Sequence, residues 1–171
     1  MVVIMNLKEA IKKREIFLDN EGLIRTDLLE RENLNAVVVI DELDEKEMKE
    51  IEKYCKQQKI KKLNCLIAEN LGEEIFQEIS PNVTSLLKRN TFFPLMKHAI
   101  FPDNMEFIIL TDNDYYHIVV GSKTFIDQVL VNNIKETKDL YNNIIEGSKN
   151  MSKDGKKWLL ELPQKYAEFY P

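Results

Sequence analysis

Ala36-Val37-Val38-Val39-Ile40 and Leu63-Asn64-Cys65-Leu66-Ile67-Ala68 are the two stretches that decide the fold. The first is a continuous, mostly β-branched run, which suits a strand buried on both faces beneath helices. Between the two, Asp44 can cap a helix and Glu47, three residues on, completes a capping-box pattern. Met48, Ile51, Tyr54, Cys55 and Gln58 then recur at spacings of three and four, the mark of one helix face. After the basic turn Lys59-Ile60-Lys61-Lys62 the chain returns as the second apolar run. Strand, helix and strand at these lengths predict a right-handed βαβ crossover whose two strands lie side by side and parallel.

Toward the N-terminus, Leu7 to Leu18 reads as an amphipathic helix stopped by Asp19-Asn20-Glu21-Gly22, and a shorter helix is expected from Asp27 to Glu32. Toward the C-terminus, Gly72 to Ile79 and Val83 to Arg89 read as two short helices broken at Ser80-Pro81. Glu106 to Thr111 and Tyr115 to Val120 flank Asp112-Asn113-Asp114, an antiparallel hairpin signal with Thr111 opposite Tyr115 and Ile109 opposite His117. Helices follow at Thr124 to Val131 and Ile134 to Ile145, the second closed by Gly147. Asp154-Gly155 is a turn signal, and Trp158 to Phe169 is an aromatic-rich segment interrupted at Pro163. The fold expected is α/β or α+β: a mixed sheet of four or five strands with helices on both faces.

At 171 residues the chain is the size of one domain, and with five glycines and no low-complexity tract it offers no linker, so residues 1–171 are read as a single domain. The net charge of -5 opposes attraction to nucleic acid or anionic lipid. No window reaches the length of a transmembrane helix, and the apolar opening Met1 to Met5 lacks the basic and hydrophobic regions of a signal peptide, so a soluble, cytoplasmic protein is expected. Cys55 and Cys65, with no Cys-x-x-Cys spacing, fit two free thiols in a reducing compartment.

Few residues suggest chemistry. Val37 to Glu42 looks like a Walker B strand, but Gly121-Ser122-Lys123-Thr124 lacks the upstream glycine and spacing of the phosphate loop that must accompany it. That turn is a candidate anion site, because it joins a strand end to a helix start, but a tight turn at Gly121 with helix capping by Ser122 or Thr124 is the favoured reading. Of the two histidines, His117 reads as a hydrogen-bonded core residue, and His98 lies in an apolar stretch between Pro94 and Pro102 that reads first as a short helix buried in the core, with a ligand lid or an interaction surface as the alternatives. No nucleophile, metal-ligand cluster or cofactor motif is legible, which favours binding over catalysis.

The acidic run Asp41, Glu42, Asp44, Glu45, Glu47, Glu50 and Glu52 reads as a solvated helix face, with Asp44 and Glu45 placed to meet a basic partner. Trp158, Tyr166, Phe169 and Tyr170 either dock on the domain itself or form a protein interface, a homodimer included. The function expected is a non-catalytic module that recognises another protein, as a regulator, inhibitor or immunity-type partner. The alternative is a small-molecule or anion site, built from His98 and the Gly121 to Thr124 turn.

Overall fold

Six strands join into one sheet in the computed structural model, which describes residues 7–40, 43–69, 76–92, 96–112, 116–130 and 134–171, with the backbone alone for residues 7–10, 90–92 and 134. The chain begins with helices α1 (Leu7–Phe17) and α2 (Thr26–Glu32), strand β1 (Asn35–Val39) and helix α3 (Glu45–Gln57). Strands β2 (Leu63–Ile67) and β3 (Phe76–Ile79), helix α4 (Val83–Phe92) and strands β4 (His98–Phe101), β5 (Phe107–Asp112) and β6 (Tyr116–Gly121) follow. Helices α5 (Lys123–Val129), α6 (Ile134–Gly147) and α7 (Lys153–Lys165) and a 3-10 turn at Ala167–Phe169 complete it.

The strand order is β1-β6-β5-β4-β2-β3, and every neighbouring pair is antiparallel. The expected side-by-side parallel pair is therefore corrected. β1 and β2 run in the same direction, four reversals apart, but three strands lie between them. Local antiparallel pairings claim the centre: β5 pairs with β6 across a short connection and β4 with β5 across the turn at Pro102 to Glu106. The β5–β6 register sets Thr111 opposite His117 and Ile109 opposite Val119, two residues from the expected register. A shift of two keeps every side chain on its expected face, because strand side chains alternate with period two. The turn residues 113–115 lie outside the described residues.

Alternation sorts the strands into two cores. On one face Ala36, Val38, Leu66, Phe101, Ile108, Leu110, Ile118 and Val120 pack beneath α1, α2, α6 and α7. On the other Val37, Cys65, Ile67, Ile100, Phe107, Ile109 and Val119 pack beneath α3, α4 and α5. The result is helices on both faces of a six-stranded antiparallel sheet, a mixed α and β architecture. Among the described residues no helix is long and apolar enough to cross a membrane.

Individual elements follow from local chemistry. Asp44 and Glu47 close the capping box at the start of α3: the Asp44 side chain accepts from Lys46 N, and the Glu47 carboxylate accepts from Asp44 N at 3.0 Å. Gly22, at φ +68, makes the left-handed turn between α1 and α2. Residues 76–79, expected in a helix, form β3, because β2 offers an antiparallel edge opposite Phe76 to Ile79. Asp154 and Gly155, expected in a turn, lie in the first turn of α7, where Ser152 caps the helix by accepting from Gly155 N at 3.1 Å. Pro163 does not stop this helix. Proline has no N–H for the carbonyl four residues back, and the Tyr141 hydroxyl donates to that carbonyl, Leu159 O, at 2.8 Å.

β1 is an edge strand although Ala36 to Val39 are buried. Its flank is covered by the last residues: Asn35 Nδ2 donates to Phe169 O at 3.0 Å, and Tyr170 packs on the same margin beneath the Lys138 ammonium, 3.9 Å from its ring centre.

Candidate functional site

The β6 register places the expected site residues at opposite ends of the sheet. His117, at one end, stands between Thr111 and Val39; Gly121, at the other, stands between Phe107 and Asn35. Four residues of strand separate them by about 13 Å. His98, opposite Thr111, belongs to the first end, so His98 and the Gly121 to Thr124 turn do not share a site.

At the first end Ile67, His98, Thr111, His117 and Val39 form one row across the sheet on the α3 and α4 side. His98 is fully buried, and its Nδ1 lies 3.0 Å from Met96 O, so it donates there and is the Nδ1–H tautomer. His117 Nδ1 lies 3.0 Å from Thr111 Oγ1. The Arg89 guanidinium is buried beside them and donates to Leu86 O at 2.8 Å. Burial, with the Arg89 charge adding to it, pushes the His98 imidazole down to about 4, against the pull of its Met96 contact. Burial, then Arg89 and His98, push His117 down to about 3. Imidazoles this acidic are poor bases at neutral pH, so the Thr111–His117 contact does not activate the hydroxyl as a nucleophile. The row is a hydrogen-bonded part of the core.

At the second end Gly121 allows α5 to approach the sheet: a Cβ there would stand 2.5 Å from Phe125 Cδ1. Ser122 caps α5 by accepting from Phe125 N at 3.1 Å, Lys123 pairs with Asp127 at 3.2 Å, and Thr124 is exposed. Of these four residues, Ser122 faces a cavity of about 450 Å³ at the mouth between the two helical layers. Its other walls are Ile16 of α1, Leu28, Arg31 and Glu32 of α2, Asn33 and Leu34 after it, Tyr54 of α3, and Asn104, Met105 and Glu106 of the β4–β5 turn. The sequence places Tyr54 on the buried face of α3, and nothing in it marks Asn104, Met105 or Glu106 as site residues.

Two cavity residues have left-handed backbone without being glycine, Asn33 at φ 50 and Met105 at φ 55. Asn33 is the C-cap of α2, and Met105 N donates to Pro102 O at 3.0 Å. The turn presents Glu106, whose Oε1 accepts from Asn104 Nδ2 at 2.7 Å, while its Oε2 is buried and has no donor among the described residues. Tyr54 shares a hydrogen bond with Ser122, and burial followed by the nearby Glu106 charge raises its phenol.

The proposed interface residues are spread over the molecule. Asp44 is engaged in capping, and Glu45 pairs with Lys49 at 2.6 Å. Asp41 and Glu42 lie outside the described residues. Tyr166 is fully buried and donates to Ile24 O at 3.0 Å, and Phe169 and Tyr170 are half-buried along β1. Of the four aromatic residues, Trp158 is the one that keeps a large exposed surface, 44% of its area, with its ring tilted on Tyr116 at 5.8 Å; Ile16, Leu87 and Ile144 are exposed to a similar extent elsewhere. It borders a groove of about 530 Å³ at the α6–α7 turn, with Met151, Gly155 and Leu159 among its walls.

No family model, curated protein or solved structure matches the chain.

Proposed function

We propose that this protein is a non-catalytic module that binds another protein, as a regulator, inhibitor or immunity-type partner, through the face bearing Trp158. The observation that carries the reading is a half-exposed tryptophan at the rim of a groove with apolar walls. Tryptophan is, with tyrosine and arginine, enriched among the anchors of protein interfaces, and a groove beside it supplies the pocket such anchors use. Lys149 and Lys153, both exposed, are next in sequence to the groove residues Ser148, Asn150 and Ser152. The acidic face of α3 is the weaker surface, since Glu45, Glu50 and Glu52 are paired with Lys49, Lys53 and Lys56. A cytoplasmic setting suits the two buried thiols, Cys55 and Cys65, which burial pushes up to about 12. A second copy of the chain is the alternative partner.

The test is affinity capture from a lysate of the cells that make the protein, comparing the native chain with Trp158→Ala, alongside the mass of the purified protein in solution. A stoichiometric partner lost with Trp158→Ala is expected. Capture of no partner by a protein that is monomeric in solution counts against recognition, and a partner retained by Trp158→Ala moves the interface elsewhere.

A further inference from the structure

We propose that the cavity between α2, α3 and the β4–β5 turn is a binding site for a small organic amine, its ammonium held by Glu106 and its hydrocarbon body laid on the apolar wall. The inference is independent of the Trp158 face.

The cavity falls within the range of about 300 to 1,000 Å³ typical of small-molecule sites, and at about 450 Å³ it would hold a ligand of metabolite size. Its polar lining comes from separate elements: Glu106 from the β4–β5 turn, Tyr54 from α3 and Ser122 from the start of α5. Glu106 decides the chemistry. Asn104 holds one oxygen, fixing the carboxylate plane, and the other is buried without a donor. A carboxylate oxygen accepts only, so the missing partner must donate, and a cation donates best.

The remaining walls agree with this chemistry. Leu28, Leu34 and Met105 supply hydrocarbon contact. The Arg31 guanidinium at the rim is already paired with Glu32 at 2.9 Å, which leaves the Glu106 charge to set the preference. A hard divalent cation would need several oxygen ligands, and no group of three or more acidic, cysteine or histidine side chains placed to hold a metal occurs among the described residues. The left-handed Met105 immediately precedes Glu106, and non-glycine residues in that conformation gather at ligand sites, where packing over-determines them.

The test titrates the full-length protein with phenethylamine, tryptamine and agmatine, and with phenylethanol and phenylpropionate as neutral and anionic controls. The readouts are the amide NMR spectrum and the melting temperature, for the native chain and for Glu106→Gln and Tyr54→Phe. At least one amine should bind saturably below about 5 mM, shifting amides near Asn104, Glu106 and Ser122. Glu106→Gln should weaken it about 10-fold or more, because the charged acceptor is lost, while the ligand-free variant melts at or above the native temperature. Tyr54→Phe, which keeps the ring packing, should weaken it less. The proposal is overturned if no amine binds in this range, if the alcohol or the acid binds as well as the amines, or if Glu106→Gln lowers the melting temperature and leaves amine binding intact.

Discussion

Mild acid should destabilise this protein far more than its surface charge would suggest, because both of its histidines are buried and neutral. In the unfolded chain an imidazole takes up a proton near pH 6.5; in the fold His98 resists until about 4 and His117 until about 3. A depressed folded value means that the stabilisation is complete above about pH 6.5 and lost as pH falls, since the unfolded state binds the protons first. Between pH 7.5 and 5 each histidine should cost about 2 kcal/mol, and the pair about 4 kcal/mol, from a total stability on the order of 5–15 kcal/mol. Glu47, whose carboxyl is raised first by burial, acts weakly with the opposite sign, and Asp103, lowered first by the hydrogen bond from Asn64 and then by the Lys13 and Lys62 charges, titrates below this window. Urea unfolding followed by circular dichroism at the two pH values measures the loss directly. With a slope of about 2 kcal/mol per molar urea, the midpoint should fall by about 2 M. His98→Gln and His117→Gln should each remove about half of the pH dependence, and the double variant nearly all of it. A native midpoint that moves by less than about 0.5 M, or a double variant that keeps the full slope, would refute the burial argument.

Other consequences are local. Gly121→Ala places a methyl 2.5 Å from the Phe125 ring and should cost about 1–3 kcal/mol in chemical denaturation, whereas an unchanged midpoint would mean that α5 does not seat so closely. Tyr141→Phe removes the donor that serves Leu159 O opposite Pro163 and should cost about 1–3 kcal/mol; full stability in that variant would show that another group satisfies the carbonyl. Cys55 and Cys65, both buried and pushed up to about 12, should be inert to a thiol reagent at neutral pH until the chain unfolds, so labelling at the rate of a free thiol in native buffer contradicts their placement.

Local signals in the sequence were read well where neighbouring residues settle the outcome. The Asp44–Glu47 capping box starts α3 as expected, the β-branched run makes β1, and the 3.6-residue pattern of α6 ends at Gly147. Strand order was not legible, because a continuous apolar run states that a strand is covered on both faces and not which strands flank it. The two apolar runs predict β1 and β2 as neighbours, whereas β6, β5 and β4 intervene. Residues 76–79 and 98–101 carry no strand signal in the sequence: each strand is four residues long, too short to show period two, and each owes its conformation to the partner across the sheet. Pro163 misled for a similar reason, since what rescues the helix there is a hydroxyl from Tyr141, on another helix. The cavity at Glu106 is assembled from α1, α2, α3, the β4–β5 turn and the start of α5, and residues so far apart in sequence leave no motif.

The most direct measurement of the recognition reading uses Trp158, the chain's single tryptophan, as its own reporter. Acrylamide quenching of its fluorescence should show a half-accessible indole in the free protein, with the accessibility falling sharply in the complex with the captured partner. An indole quenched equally in the free and bound states would contradict the claim that this face is where the protein binds.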